Sequence, residues 1–283
     1  MNSGCNGSAD PVQVVATRQS NQLRRPNDVT VVDRKYIIAQ QGSNPKNAGL
    51  RIFDSLTGSS SLILRNGPIG RPLGVTTDGT DYVVSSLLNN VNDGAFFRVS
   101  QAGTVTGSLL LPSDTRPFDI VYDSANDLFM ATETISASIV VIDSAFTHAQ
   151  IFPIPGLSRG SNAPAGITVQ GPGDYIITDE LTGELFRLQE SSPGSAAIGQ
   201  FNSLTTLASG LGVAVGITLD GNDYIVTDSN GRLLRVSGGS VAEIRSTTGL
   251  LGNPTGLTTL RSGNYLVLDY NGDRLLEITD CPD

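Results

Sequence analysis

Residues 253–279 read NPTGLTTLRSGNYLVLDYNGDRLLEIT. A Pro is followed two places on by a small residue, Gly256, and then by a short strand. A turn around Gly263 leads into an apolar strand from Tyr265 to Asp269. An Asn-Gly turn leads into a third strand from Arg274 to Thr279. The apolar residues recur with the two-residue period of strands, and the turns carry hairpin chemistry.

The same opening recurs upstream. It stands at Pro26-Asn27-Asp28, Pro72-Leu73-Gly74, Pro117-Phe118-Asp119, Pro164-Ala165-Gly166 and Ala214-Val215-Gly216. Successive intervals are 46, 45, 47, 50 and 40 residues. Second strands follow as YIIAQ from Tyr36, YVVSS from Tyr82, LFMAT from Leu128, YIITD from Tyr175 and YIVTD from Tyr224. Third strands follow from Leu50, Ala95, Ser138, Glu184 and Arg232, and a weaker fourth completes most units. Four strands per unit with a period near 45 residues is the pattern of propeller blades. The expectation is one all-β domain over 1–283. It is a six-bladed β-propeller of four-stranded blades, with units starting near 26, 72, 117, 164, 214 and 254. A β-sandwich does not explain equal units.

The sixth unit ends at Thr279, before any fourth strand. Residues Val12 to Thr17 are read as the outermost strand of that last blade, closing the ring and covering its edge. This pairing brings Cys5 toward Cys281, and a disulfide between them implies an oxidising compartment. Two other readings stay open: two unpaired thiols, or Cys5 as the lipidated residue of a lipoprotein-like Ser3-Gly4-Cys5. The expected setting is extracytoplasmic (periplasmic, secreted or lipid-anchored), with a leader absent from this numbering, and the expected state is a monomer.

The 283 residues carry a formal charge of −9, and charged residues are only 16%. That balance argues against nucleic-acid and anionic-lipid partners, which need a basic surface. No run of 18 apolar residues exists to cross a membrane.

The fifth unit, YIVTDSNGRLLRVSGGSV from Tyr224, and the sixth, from Asn253, resemble the NHL repeat. Both carry the small residue after the opening, the Asp closing the second strand, and Asn-Gly plus Arg before the third. The resemblance implies a six-bladed propeller and leaves function open, because propellers host unrelated activities. More distantly, the gluconolactonase-like families imply one divalent metal, calcium, held by Glu, Asn and Asp near the starts of the innermost strands. Those positions here are Asp28, Gly74, Asp119, Gly166, Gly216 and Gly256. Asp28 and Asp119 match in type, while Asn27 falls one position early. The streptogramin lyase family implies a catalytic His and the paraoxonase family a His pair. The single histidine, His148, follows the third strand of unit three and is expected on the outer rim.

One asymmetry points to a site. Arg25, Arg71 and Arg116 precede the opening in units one to three, where units four to six have Ala163, Val213 and Asn253. The second strands end at Gln40, Ser86 and Thr132, then at Asp179, Asp228 and Asp269, and the favoured role of these three aspartates is turn capping through bonds to backbone N–H groups. Residues 41–49 and 87–94 form longer connections on the cationic half. An ion-pair network across the channel and a ligand pocket both fit this pattern. The pocket reading makes Arg25, Arg71, Arg116 and Asn27 ligand-binding residues. The expected function is a non-enzymatic binding or scaffold module for a protein, peptide or glycan. The alternative is a calcium-dependent lactonase or ester hydrolase with Asp28 and Asp119 on the metal. No catalytic residue is assigned.

Overall fold

The computed structural model describes residues 12–17, 23–42, 47–55, 57–65, 69–88, 93–157, 163–191, 201–244, 247, 249–261 and 263–280. Six four-stranded antiparallel sheets form a ring of blades. Their inner strands are Pro26–Val32, Arg71–Thr77, Pro117–Asp123, Ile167–Gly171, Ala214–Asp220 and Pro254–Arg261. We number the blades 1 to 6 in that order. Val12–Thr17 pairs antiparallel with Arg274–Thr279 and is the outer strand of blade 6. Chain end and chain start thus share one sheet. No α-helix occurs among the described residues, and none is therefore long and apolar enough to cross a membrane. Cys5 and Cys281 lie outside the described residues.

The core explains why the second strands read as unbroken apolar runs. Each is covered on both faces, so successive side chains enter different inter-blade cores. Val83 packs with Phe96 against Phe129 and Ile142 of blade 3. Its neighbour Val84 packs with Phe97 against Ile37 and Leu50 of blade 1. The remaining four interfaces repeat this, including the closing one, where Leu266 and Leu268 meet Val29 and Ile38. Burying each such side chain contributes about 1.5–3 kcal/mol. The core is therefore a closed ring of six interfaces.

Two details depart from the sequence reading. Residues 87, 88, 93 and 94 are strand, since blade 2 extends its central hairpin as Asp81–Leu88 and Asp93–Ser100. The opening Pro of blade 3 pairs with Glu133, whereas the expected residue was Thr132. Phe129, not Leu128, therefore takes the place of the repeat tyrosine, and blade 3 ends its second strand on a carboxylate as blades 4 to 6 do.

Candidate functional site

The inner strands line a central channel, and their open edges face its axis. Val29, Val75, Ile120, Ile167, Ile217 and Leu257 occupy one register position, opposite Ile38, Val84, Ala131, Ile177, Val226 and Val267, each two before the repeat position held by Gln40, Ser86, Glu133, Asp179, Asp228 or Asp269. Asp28 Oδ1 accepts the Val29 N–H at 2.8 Å, and its Oδ2 accepts the Val75 N–H of blade 2 at 2.8 Å. Asp119 repeats the pattern, accepting Ile120 N–H at 2.7 Å and Ile167 N–H of blade 4 at 2.9 Å. The two side chains also hydrogen-bond each other across the channel.

Burial, and then the Asp119 charge, holds the Asp28 carboxyl well above the usual carboxylate range. Burial pushes Asp119 up to about 6, against the pull of its two backbone donors and of Asp28. Like charges this close do not ionise together, so the pair shares a proton. On the mouth side the cavity beside the pair is about 10 Å³, room for one water. Below it lies a polar chamber of about 130 Å³, lined by Thr30, Thr76, Thr168, Thr218 and Thr258.

A second ring of contacts ties the blades just above this waist. Ser85, Thr132, Thr178 and Thr227 each accept an inner-strand N–H of their own blade. Each also donates to the next blade, reaching Phe118, Ala165, Val215 and Thr255 carbonyls at 2.5–2.7 Å. Blade 1 has Ala39 at this position, and the Asn27 amide takes over, donating to the Leu73 carbonyl at 2.6 Å. Asn27 Oδ1 accepts from Gln41 at 3.1 Å. Asn27 is thus a blade-to-blade clasp within the mouth.

The expected aspartates at the second-strand ends are caps. Asp179 accepts the Leu181 and Thr182 N–H groups. Asp228 accepts Val213 and Asn230 N–H and pairs with Arg232. Asp269 accepts Gly252, Asn253 and Gly272 N–H and pairs with Arg274, which holds its carboxyl below the usual range despite burial. Glu133 does the same, accepting Arg116, Ile135 and Ser136 N–H. Buried carboxylates that cap turns in this way serve the fold.

The mouth itself is built one residue further on. Gln41, Glu180 and Tyr270 each follow the capping position of their blade. Arg71 Nη2 donates to Gln41 Oε1 at 3.0 Å, and the Tyr270 hydroxyl donates to the same oxygen at 3.3 Å. Burial lowers the Arg116 pKa first, the Arg71 charge lowers it further, and Glu180 opposes both. Arg71 and Arg116 are therefore electrostatic neighbours. Arg25 stands apart: its backbone is left-handed at φ 46°, its side chain is exposed, and its N–H donates to Asp273 of blade 6 at 2.6 Å. Sequence reasoning missed Gln41, Glu180 and Tyr270, although extending the repeat register by one residue reaches all three.

No protein-family model matches this chain. No curated protein matches it either. Solved structures do. Virginiamycin B lyase from Staphylococcus aureus superposes with a TM-score of 0.61 at 16% identity, covering 95% of this chain and 98% of the other. A chain of a nidogen/laminin complex gives 0.61 at 15% identity, covering 87% and 85%. An auxiliary nutrient binding protein from Bacteroides thetaiotaomicron gives 0.67 at 10% identity, covering 89% and 68%. These likenesses establish the six-bladed propeller and nothing finer. His148 lies in the turn after the third strand of blade 3, on the face away from the mouth, with its side chain 88% exposed.

Proposed function

We propose that this propeller is a non-enzymatic binding module that receives a protein, peptide or glycan ligand at its mouth. One observation carries the reading. The waist carboxylates are engaged by four backbone N–H groups and by each other, whereas the rim above presents polar side chains from successive blades. Loops on a rigid ring are the usual place for recognition. The neighbour described as a nutrient binding protein and the propeller within a nidogen/laminin complex support binding as a use of this architecture.

The calcium-dependent lactonase reading keeps one observation in its favour, the convergence of Asp28 and Asp119 on a single point of the channel. Peptide and glycan arrays, probed with the parent protein and with Tyr270→Ala, test the first reading. Binding that Tyr270→Ala weakens without lowering the unfolding temperature supports it. Calcium binding lost in Asp119→Asn, together with lactone hydrolysis, replaces it with the second. The binding reading carries an extracytoplasmic, monomeric setting with it. Thiol titration of the unfolded, unreduced protein and sedimentation test those two points.

A further inference from the structure

The waist follows a rule that repeats at every second blade. Asp28 immediately precedes Val29 and spans from its own inner strand to Val75 of blade 2. Asp119 immediately precedes Ile120 and spans from blade 3 to Ile167 of blade 4. The third place in the set joins blades 5 and 6, and there Gly216 precedes Ile217. Ile217 and Leu257 hold the register of the four spanned residues, opposite Val226 and Val267, so their N–H groups face the axis as well. A glycine has no oxygen to offer them. A larger residue could not stand there, because a Cβ on Gly216 would lie 2.3 Å from the Thr255 carbonyl oxygen. One on Gly256 would lie 2.5 Å from Asp28 Cα.

Ile217 and Leu257 are buried, 6% and 5% exposed. Buried backbone N–H groups are almost always paired. Among the described residues no side chain spans this pair, so the oxygen it needs comes from outside the chain. Ile217 and Leu257 also line the chamber below the waist, together with Thr218 and Thr258 of the same strands. Its volume of about 130 Å³ is room for about four waters. The threonines of its wall, Thr30, Thr76, Thr168, Thr218 and Thr258, are half-buried, so solvent reaches them.

We infer that the Ile217 and Leu257 N–H groups seat the carboxylate of a short hydroxy acid, of about three or four carbons, with its body in the chamber. The protein itself shows the bonding. At the other two places one carboxylate takes one N–H from each of two neighbouring blades, at 2.7–2.9 Å. A common register gives the third pair of N–H groups the same arrangement, and a carboxylate brings the two acceptor oxygens that fit it. The threonine wall selects the rest of the ligand. A hydroxyl can replace the hydrogen bonds of the water it displaces there, and an apolar tail cannot. This seat lies on the other side of the waist from the mouth and does not depend on what the mouth binds.

Amide correlation spectra of the nitrogen-15-labelled chain, titrated with lactate, lactamide and propionate, test this. The titration is run at pH 5, below the value of about 6 to which Asp119 is raised, where the waist pair adds least negative charge. Lactate is expected to move the Ile217 and Leu257 amide protons downfield and to saturate. Lactamide, without the second acceptor oxygen, and propionate, without the hydroxyl, should each bind at least about tenfold more weakly. Thr218→Leu and Thr258→Leu narrow the chamber, and each should lose about tenfold for lactate. Unfolding temperatures close to the parent's show that these variants keep the fold, and the titration of the parent decides alone if they do not. No saturable shift at Ile217 and Leu257 overturns the inference, and so does saturation confined to other amides. Lactamide or propionate binding as tightly as lactate, or unchanged binding by both folded variants, also overturns it.

Discussion

Raising the pH from 5 to 8 should weaken the fold, because the waist of the channel is built around a shared proton. Asp119 has an ordinary value of 3.8 and is pushed up to about 6 in the folded chain, and Asp28 is raised well above its own. A carboxyl whose folded pKa is raised takes up its proton more readily when folded. Its contribution is full below the unfolded value and is lost as pH rises through the folded one. A rise from 3.8 to about 6 corresponds to about 3 kcal/mol. Between pH 5 and 8 only the part of that span above pH 5 is lost, about 1 kcal/mol from Asp119, and Asp28 adds to it in the same sense, so the expected loss is about 1–3 kcal/mol. Asp78, Asp143, Asp223 and Asp269 are shifted the other way and are already ionised by pH 5. Glu190, raised by burial, titrates in the same sense. It acts equally in a variant and cancels in the difference.

Asp119→Asn removes the second charge. It also leaves one of the Ile120 and Ile167 N–H groups without its oxygen, at a cost of about 1–3 kcal/mol. The variant should therefore be weaker than the parent at pH 5, and the gap should narrow by about 1–3 kcal/mol toward pH 8. Urea unfolding in the presence of a chelator, at four or more pH values, measures both slopes. A parent whose stability is flat or rising from pH 5 to 8, or a variant with the parent's slope, would refute the shared proton.

Thr227→Val keeps shape but strips Gly216 N–H and the Thr255 carbonyl of their hydroxyl, so urea unfolding should register a loss of about 1–3 kcal/mol. Gly216→Ala places a Cβ 2.3 Å from the Thr255 carbonyl oxygen and should cost about 1–3 kcal/mol by overpacking the interface of blades 5 and 6. Gly58→Ala meets nothing within 4 Å and should lose only the price of its φ of +66°, about 1 kcal/mol. Deleting residues 1–17 uncovers the edge of Arg274–Thr279, so light scattering on heating should show aggregation at a lower temperature than the parent.

The ring was legible because it is written at a fixed interval. Opening Pro or Ala, apolar second strand and alternating third strand recur at equal spacing, and equal spacing in a closed ring leaves few architectures. The closing strand was legible from a missing one. What escaped was a shift of a single residue. LFMAT from Leu128 looks equivalent to YIITD from Tyr175, yet the pairing sets Phe129 against Tyr122 and Glu133 against Pro117. A Leu in front of Phe is as apolar as the expected tyrosine, so hydropathy could not fix the register. That slip hid Glu133 and made the mouth look half anionic. The residue types of the opposed halves were legible, and so was turn capping as the favoured role of Asp179, Asp228 and Asp269, whereas the ion-pair network across the channel was not what those carboxylates form. The backbone N–H groups around Asp179, Asp228 and Asp269 bear out the capping role, and Glu133 joins them as a fourth cap.

The waist also decides what calcium could do. Six inner-strand N–H groups share one register, and two carboxylates take four of them, each spanning a pair of blades. The third position of that pattern is Gly216, where the Thr255 carbonyl approaches too closely for any side chain. Asp28 and Asp119 therefore have every oxygen in a backbone bond and a proton between them. A cation bound there must displace that proton, since carboxylate ligands bind metal deprotonated. Stabilisation by calcium should then be absent at pH 5 and appear above about pH 6, the value to which Asp119 is raised. Melting curves with calcium and with chelator at pH 5 and pH 8 measure this. A shift at pH 8 alone supports a metal at the waist, and equal shifts at both values put the cation elsewhere. No shift at either leaves the proton as the occupant of the pair and the lactonase reading without its metal.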